Sequence, residues 1–252
     1  MRNIWKKAGK AFVALFFWLA VWQAAACAVG KALLLPSPAA VVQTLWSLVG
    51  TAEFWFSTGH TLTRILCGFL GGVLAGTGLA VLTAAFRWAH ALLSPAVRMI
   101  RATPVASFIL LVLLWAPTGR VPAIIAGLMV LPVLWENVSR GIAETDPLLL
   151  EAARAYGFGR GKTARLVYAP SLIPYFTSGC HTALGLAWKA GVAAEVLCVP
   201  RLAIGTQVYY SKIYLETEAL FAWTAVMVAL SFLLERVLGL CIDRLGGGLK
   251  NG

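Results

Sequence analysis

"EAARAYGFGRGKTARL", Glu151 to Leu166, is the stretch on which the reading of this chain turns. It lies in the longest polar interval of an otherwise apolar sequence, and its Gly161-Lys162-Thr163 has the ending of a phosphate-binding loop. Such a loop needs a further glycine five residues before the glycine of Gly-Lys-Thr, and that position holds Tyr156. It also has to follow a buried strand, whereas "DPLLLEAARAY" reads as a helix. Asp146 is placed to cap it, Pro147 to open it and Gly157 to stop it. The stretch is a short helix and a turn, not a nucleotide site.

Working outward, the composition decides what surrounds that helix. The 252 residues are 60% hydrophobic and only 12% charged, with a mean hydropathy of +0.81, which is too apolar for a soluble domain. A bilayer core about 30 Å thick is crossed by roughly 20 mostly apolar residues of helix. Six runs approach that: Ala11 to Val29, Ile65 to Phe86, Ala102 to Gly119, Val121 to Trp135, Ser171 to Val199 and Ala219 to Leu234. The fourth is short and holds Pro122 and Pro132, as expected of a helix packed inside protein rather than bathed in lipid. The basic flank Arg2, Lys6, Lys7 and Lys10 precedes an apolar run too long for a signal peptide and without a clear small-residue cleavage site, so it reads as a retained first helix.

Cytoplasmic loops are enriched in Lys and Arg. An inside N-terminus puts Arg2, Lys6, Lys7, Lys10, Arg87, Arg140, Arg154, Arg160, Lys162, Arg165, Arg236, Arg244 and Lys250 on the cytoplasmic side, leaving Lys31, Arg120, Arg201 and Lys212 outside. The net charge of +11 follows from that bias and from attraction to anionic lipid, and no nucleic-acid partner is implied. Cys27, Cys67, Cys180, Cys198 and Cys241 show no metal spacing and read as small core residues. The largest non-spanning interval, about Glu136 to Pro170, is too short to fold as an enzyme.

Glu151-Ala152-Ala153, Gly157, Val167 and Pro170 resemble the EAA signature of permease subunits of binding-protein-dependent ABC importers. In that family Glu-Ala-Ala is followed after three residues by Gly, and nine residues later by Ile-x-Leu-Pro. Val167 and Ala169 are mild departures. "LPSP" at Leu35 to Pro38, "TLTRILCGF" at Thr61 to Phe69, "RATP" at Arg101 to Pro104 and "WKAGVAAEV" at Trp188 to Val196 are similar to the nitrate/sulfonate/taurine branch, so the resemblance covers nearly the whole chain.

The resemblance implies an all-α integral membrane protein with about six transmembrane helices in a type I ABC importer permease bundle and a cytoplasmic EAA coupling helix. It divides the chain into a first helix with an external interfacial segment (1–58), a core transmembrane domain (59–243) that includes the EAA loop 144–170, and a cytoplasmic tail (244–252). The implied role is import of a small solute, an anion such as nitrate, a sulfonate or taurine, or a relative's cargo such as a thiamine-precursor pyrimidine. The implied partners are an ABC ATPase subunit, an extracytoplasmic solute-binding protein, a second permease copy in a homodimer, and the lipid of the bacterial plasma (inner) membrane. No cofactor is expected on this chain: ATP and Mg belong to the partner ATPase. An ion-coupled secondary transporter, the competing class, would have to use Lys189 and Glu195, and no inverted repeat is evident. A purely structural membrane scaffold is the third.

Individual residues carry the expected sites. Glu151, Ala152, Ala153, Tyr156 and Gly157 form the ATPase-coupling helix, whose small centre suits close approach to a partner's groove. Gly68, Gly72 and Gly76, continued by Ala80 and Ala84, put small side chains on one helix face for close helix packing. Lys189 and Glu195 are costly inside a span, and six residues apart they sit about 120° apart around the axis, too far round to pair directly. With Trp188 they are the pathway or gate candidates, Lys189 deeper and suited to an anion, Glu195 nearer the outer end. Ser37 and Pro38 open an external interfacial helix with Val41, Val42, Leu45, Trp46 and Val49 along one side. His181 reads as a packing or cytoplasm-side residue.

Overall fold

The computed structural model describes residues 2–250, with side-chain surroundings for 13–14 and 16–241. The side chains of Arg2, Lys6, Lys7, Lys10, Arg244 and Lys250, which carry part of the orientation argument, and those of the whole expected tail 244–252, lie outside the described side chains. Every regular element among the described residues is helical.

α1 (Arg2–Val29) is tied to the following segment by the Trp22 indole N–H, which donates to the Pro36 carbonyl at 3.1 Å. α2 (Pro38–Val49) opens as its sequence dictates: the Ser37 hydroxyl accepts from the Ala40 N–H at 3.3 Å, with Pro38 where no N–H is needed. Its apolar residues do not share one side. Leu45 and Leu48 pack on the cluster of Phe54, Ile204 and Trp223, whereas Val42, Trp46 and Val49 form a second, outward stripe with Trp46 84% exposed. The helix is apolar on two faces, and the single stripe read from sequence straddles them: Val41 and Leu45 face inward, Val42, Trp46 and Val49 outward.

α3 (Ala52–Ala85) begins well before Ile65 because Thr51 caps the Phe54 N–H at 3.3 Å and nothing interrupts the 34 residues that follow. The span expected over Ala102 to Gly119 is not one helix. α4 (Arg87–Ala102) and α5 (Val105–Leu113) meet at a bend of 105°. Pro104 lacks an N–H and forces Thr103 to extended backbone (ψ 132°), which ends α4; α5, at nine residues and about 13 Å, is too short to cross.

α6 (Val121–Ala143) packs between α3 and α9 (Ala169–Cys198), and their contact makes the main core of Ile65, Val130, Leu134, Val138, Ala183 and Ala187. Gly68, Gly72 and Gly76 lie at the α3–α6 contact. A Cβ on Gly72 would stand 2.6 Å from the Gly127 carbonyl oxygen, one on Gly76 the same distance from that of Leu131, and one on Gly68 would overlap the Ala123 carbonyl. Ala80 is fully buried in the same line, while Ala84 is exposed.

Between α6 and α9 come α7 (Pro147–Ala155), the short α8 (Arg160–Thr163) and a π turn at Ala164–Tyr168, which runs without a break into α9. α10 (Ile204–Ile213) and α11 (Thr217–Lys250) complete the order. Length and apolarity together qualify α3, α6 and Thr217–Cys241 of α11 as spans, or four with the bent α4–α5 pair, against the six runs read from sequence. α9 is long enough, at 30 residues and about 45 Å, but its polar residues dilute it; the described apolar part of α1 is only Phe16–Val29. The cysteine expectation needs correcting too. Cys180 and Cys198 are buried, but Cys27, Cys67 and Cys241 sit on outward helix faces and are exposed.

Candidate functional site

α7 is fixed at both ends by its own sequence. The Asp146 carboxylate accepts from the Leu148 N–H at 2.8 Å, and Pro147 occupies the first turn. At the other end the Phe158 N–H donates to the Ala153 carbonyl at 2.8 Å and the Gly157 N–H to that of Arg154 at 3.0 Å, the nested pair of bonds of a Schellman cap. That cap needs a left-handed residue, and Gly157 supplies it at φ +66°. Ala153 is the buried residue of α7, where the helix rests on the π turn. Glu151 and Ala152 face outward, as do Leu148 (71% exposed), Leu149 and Tyr156 (80% exposed). The capped helix in this way presents an apolar and acidic face that nothing among the described residues covers. Lys162 lies 4.3 Å from the centre of the Phe158 ring, a cation–π contact that gives the lysine a local structural role.

At the opposite end of the bundle a buried polar knot joins α3, α9 and α10. Glu195 is fully buried, and its carboxylate accepts from the Thr61 hydroxyl at 2.9 Å, the Gly205 N–H at 3.2 Å and the Arg64 guanidinium at 3.4 Å. Thr61 in turn accepts from the Ile204 N–H at 2.9 Å. Arg64 also donates to the Leu202 and Arg201 carbonyls at 3.0 and 2.9 Å, and Thr206 donates to that of Pro200 at 2.6 Å. Together these bonds hold the five-residue connection 199–203, in which Val199 and Leu202 adopt left-handed backbone (φ +48° and +51°) that side-chain-bearing residues enter only under constraint. Gly205 permits the approach: a Cβ there would stand 2.7 Å from the Val196 nitrogen.

The pathway candidates therefore part company. Glu195 is bonded within the bundle, and Trp188 is buried in the main core. Lys189 is exposed, on a stripe of α9 with Thr182, Leu186, Ala193 and Leu197 that no described element covers. Sequence reasoning gave Thr61 and Arg64 no role. The available signal was Arg64 itself, a cation in line with the apolar run that starts at Ile65, which has to find a partner if the helix extends through it. His181 is exposed on α9, facing α11 at Gly239. Among the described residues no group of His, Cys, Asp and Glu side chains could hold a metal ion.

The comparisons agree across the chain's length. The family model described as binding-protein-dependent transport system inner membrane component matches residues 68–246. The chain is 26% identical to the taurine transport system permease protein TauC of Escherichia coli (strain K12), over 93% of this chain and 86% of that protein. It is 30% identical to SsuC of the same organism, designated an aliphatic sulfonates transport permease, over 89% and 83%. It is also 28% identical to the riboflavin transport system permease protein RibX of Chloroflexus aurantiacus (strain ATCC 29366 / DSM 635 / J-10-fl), over 92% and 87%. Among solved structures, an inward-facing form of the MetNI methionine ABC transporter superposes with a TM-score of 0.58 at 18% identity, covering 78% of this chain and 95% of that one.

Proposed function

The chain belongs to the binding-protein-dependent transport system inner membrane components, so it is the permease subunit of an ABC importer and not an enzyme; on that premise we propose how it works and what it carries. In this family ATP is hydrolysed by a separate subunit, and an external binding protein delivers the solute. Two copies of the chain enclose the pathway. Both termini and the α7 end of the bundle face the cytoplasm, as the Lys/Arg bias requires.

The observation that carries the proposal is α7: a helix capped at both ends whose apolar face, Leu148, Leu149 and Tyr156, is left uncovered by the described residues, beside Glu151. It docks in a groove of the ATPase, and its rigid caps pass the ATPase's motion through the π turn into α9. α9 carries Lys189 along the pathway and ends in the Glu195 knot, which sets the outer connection 199–203. A lysine at that depth is retained when water or a counter-charge offsets its desolvation, and this favours an anionic solute of the taurine or sulfonate kind. The riboflavin permease among the relatives supports a heterocyclic solute as the second reading.

The test is ATP-driven uptake by the reconstituted complex with its binding protein, offered taurine, an alkanesulfonate, nitrate and riboflavin in parallel. The anion reading expects uptake of one of the first three to exceed that of riboflavin; riboflavin uptake alone overturns it.

A further inference from the structure

α6 is packed between α3 and α9, yet one of its faces carries charge. Glu136, Arg140 and Glu144 follow at intervals of four residues, so they lie one above another along the helix toward its Ala143 end. Each has a partner. Arg101, at the end of α4 just before the bend, pairs with Glu136; Arg140 pairs with Glu144 at 3.3 Å; and the Tyr175 hydroxyl on α9 donates to Glu144. These side chains are not sealed in the core: Arg101 and Glu136 are 63% and 52% exposed, Arg140 and Glu144 71% and 52%.

Depth makes this exposure informative. α6 is about 34 Å long, and Glu136 stands about 22 Å from its Val121 end and about 10 Å from its Ala143 end, inside any 30 Å slab the helix crosses. Arginine can reach from such a depth to a headgroup along its own stem, but glutamate, two methylenes long, cannot. A half-exposed carboxylate at that level facing hydrocarbon would carry the cost of an uncompensated charge in the membrane, whereas one facing water does not. The bend at Thr103-Pro104 lies in the same place; irregular backbone at membrane depth is tolerated where it is buried in protein or lines a water-filled cavity, and the exposed Arg101–Glu136 pair beside it favours the second.

We propose that the Arg101–Glu136 and Arg140–Glu144–Tyr175 ladder lines the aqueous inner exit of the solute pathway, with Arg101–Glu136 at its deepest point. The inference rests on the permease reading and adds the wall of its exit. Because each cation has a carboxylate partner, the wall is wet without being strongly charged, and a solute of either sign leaves without being held.

The experiment uses the assembled, reconstituted complex in a background lacking the five native cysteines. Glu136→Cys and Arg140→Cys are compared with Leu74→Cys and Phe232→Cys, two apolar outward positions on α3 and α11. A charged, impermeant thiol reagent is applied from the α7 side. Ionised thiolate in water is the reactive form, so the two ladder positions are expected to label at least about tenfold faster than the two controls. Solute present during labelling should slow the reaction at position 136. Labelling at 136 and 140 as slow as at 74 and 232 overturns the inference, and so does a direct 136-to-136 disulfide between copies, which would place the face between subunits. Arg101→Glu combined with Glu136→Arg supplies a second arm, expected to restore uptake lost in either single variant. ATP-driven uptake by the cysteine-free parent, measured alongside, keeps failure of this inference separate from failure of the permease reading.

Discussion

Arg64 reaches Glu195 at 3.4 Å across 131 residues of chain, and the same guanidinium holds the Leu202 and Arg201 carbonyls. One cation thereby neutralises a buried carboxylate and pins a connection whose backbone would not hold its own shape. Removing one partner of a buried pair leaves the other charge unpaired, at a cost of roughly 3–5 kcal/mol. Arg64→Ala is expected to lower the thermal midpoint of the detergent-solubilised protein by more than Glu195→Gln does, because the amide still accepts from Thr61 and Gly205. Equal midpoints for the two variants would mean that Arg64 does not hold the knot.

Packing of α3 on α6 gives a second expectation, with a control built into the same helix. Gly72→Leu drives a side chain into the Gly127 carbonyl and Val130, whereas at Gly71, its neighbour, an added Cβ meets nothing within 4 Å. Overpacking at Gly72 should cost about 1–3 kcal/mol or more and reduce assembled protein, measured by fluorescence-detected size exclusion, while Gly71→Ala should be near normal.

For the coupling helix the expectation is loss of transmission without loss of insertion. Gly157→Trp forces a bulky residue into the left-handed cap, and Glu151→Lys reverses the charge of the exposed face. Both variants should reach the membrane at normal abundance and show ATP-driven uptake reduced at least tenfold, a loss of about 1.4 kcal/mol in coupling. Lys162→Ala should be mild, since it removes only a cation–π contact worth about 0.5–1 kcal/mol, and nucleotide binding by the isolated permease should be absent in both parent and variant.

Lys189→Gln separates pathway from scaffold. If the lysine meets solute, uptake per assembled complex falls while abundance and ATPase association stay near normal. If it only supports the bundle, abundance falls and normalised uptake does not change. The measurement is uptake in vesicles divided by complex quantified in the same vesicles.

What could be read ahead of the structure was local. The caps at Ser37 and Asp146, the stop at Gly157 and the four-residue repeat of small residues each depend on neighbours within a turn or two, and the chain carries those signals in full. Pro104 was also a legible signal, but the apolar run around it outweighed it, and the bend between α4 and α5 was missed. The partners of Glu195 were not legible, because nothing in a helix's own periodicity says which distant elements will supply a guanidinium, a hydroxyl and a backbone N–H. The same holds for the α6 ladder: its spacing is visible in the sequence, while Arg101 and Tyr175 arrive from other helices.

The claim that α7 receives the ATPase is tested most directly by cross-linking from its uncovered face. Tyr156→Cys and Leu149→Cys, with Lys212→Cys at the other end of the bundle as control, are treated with a short bifunctional thiol reagent in inverted vesicles containing the co-expressed ATPase subunit. Permease–ATPase adducts are expected from positions 149 and 156, none from 212, with a change in adduct yield when ATP is added. Adducts from 212 with none from 149 or 156 would contradict it.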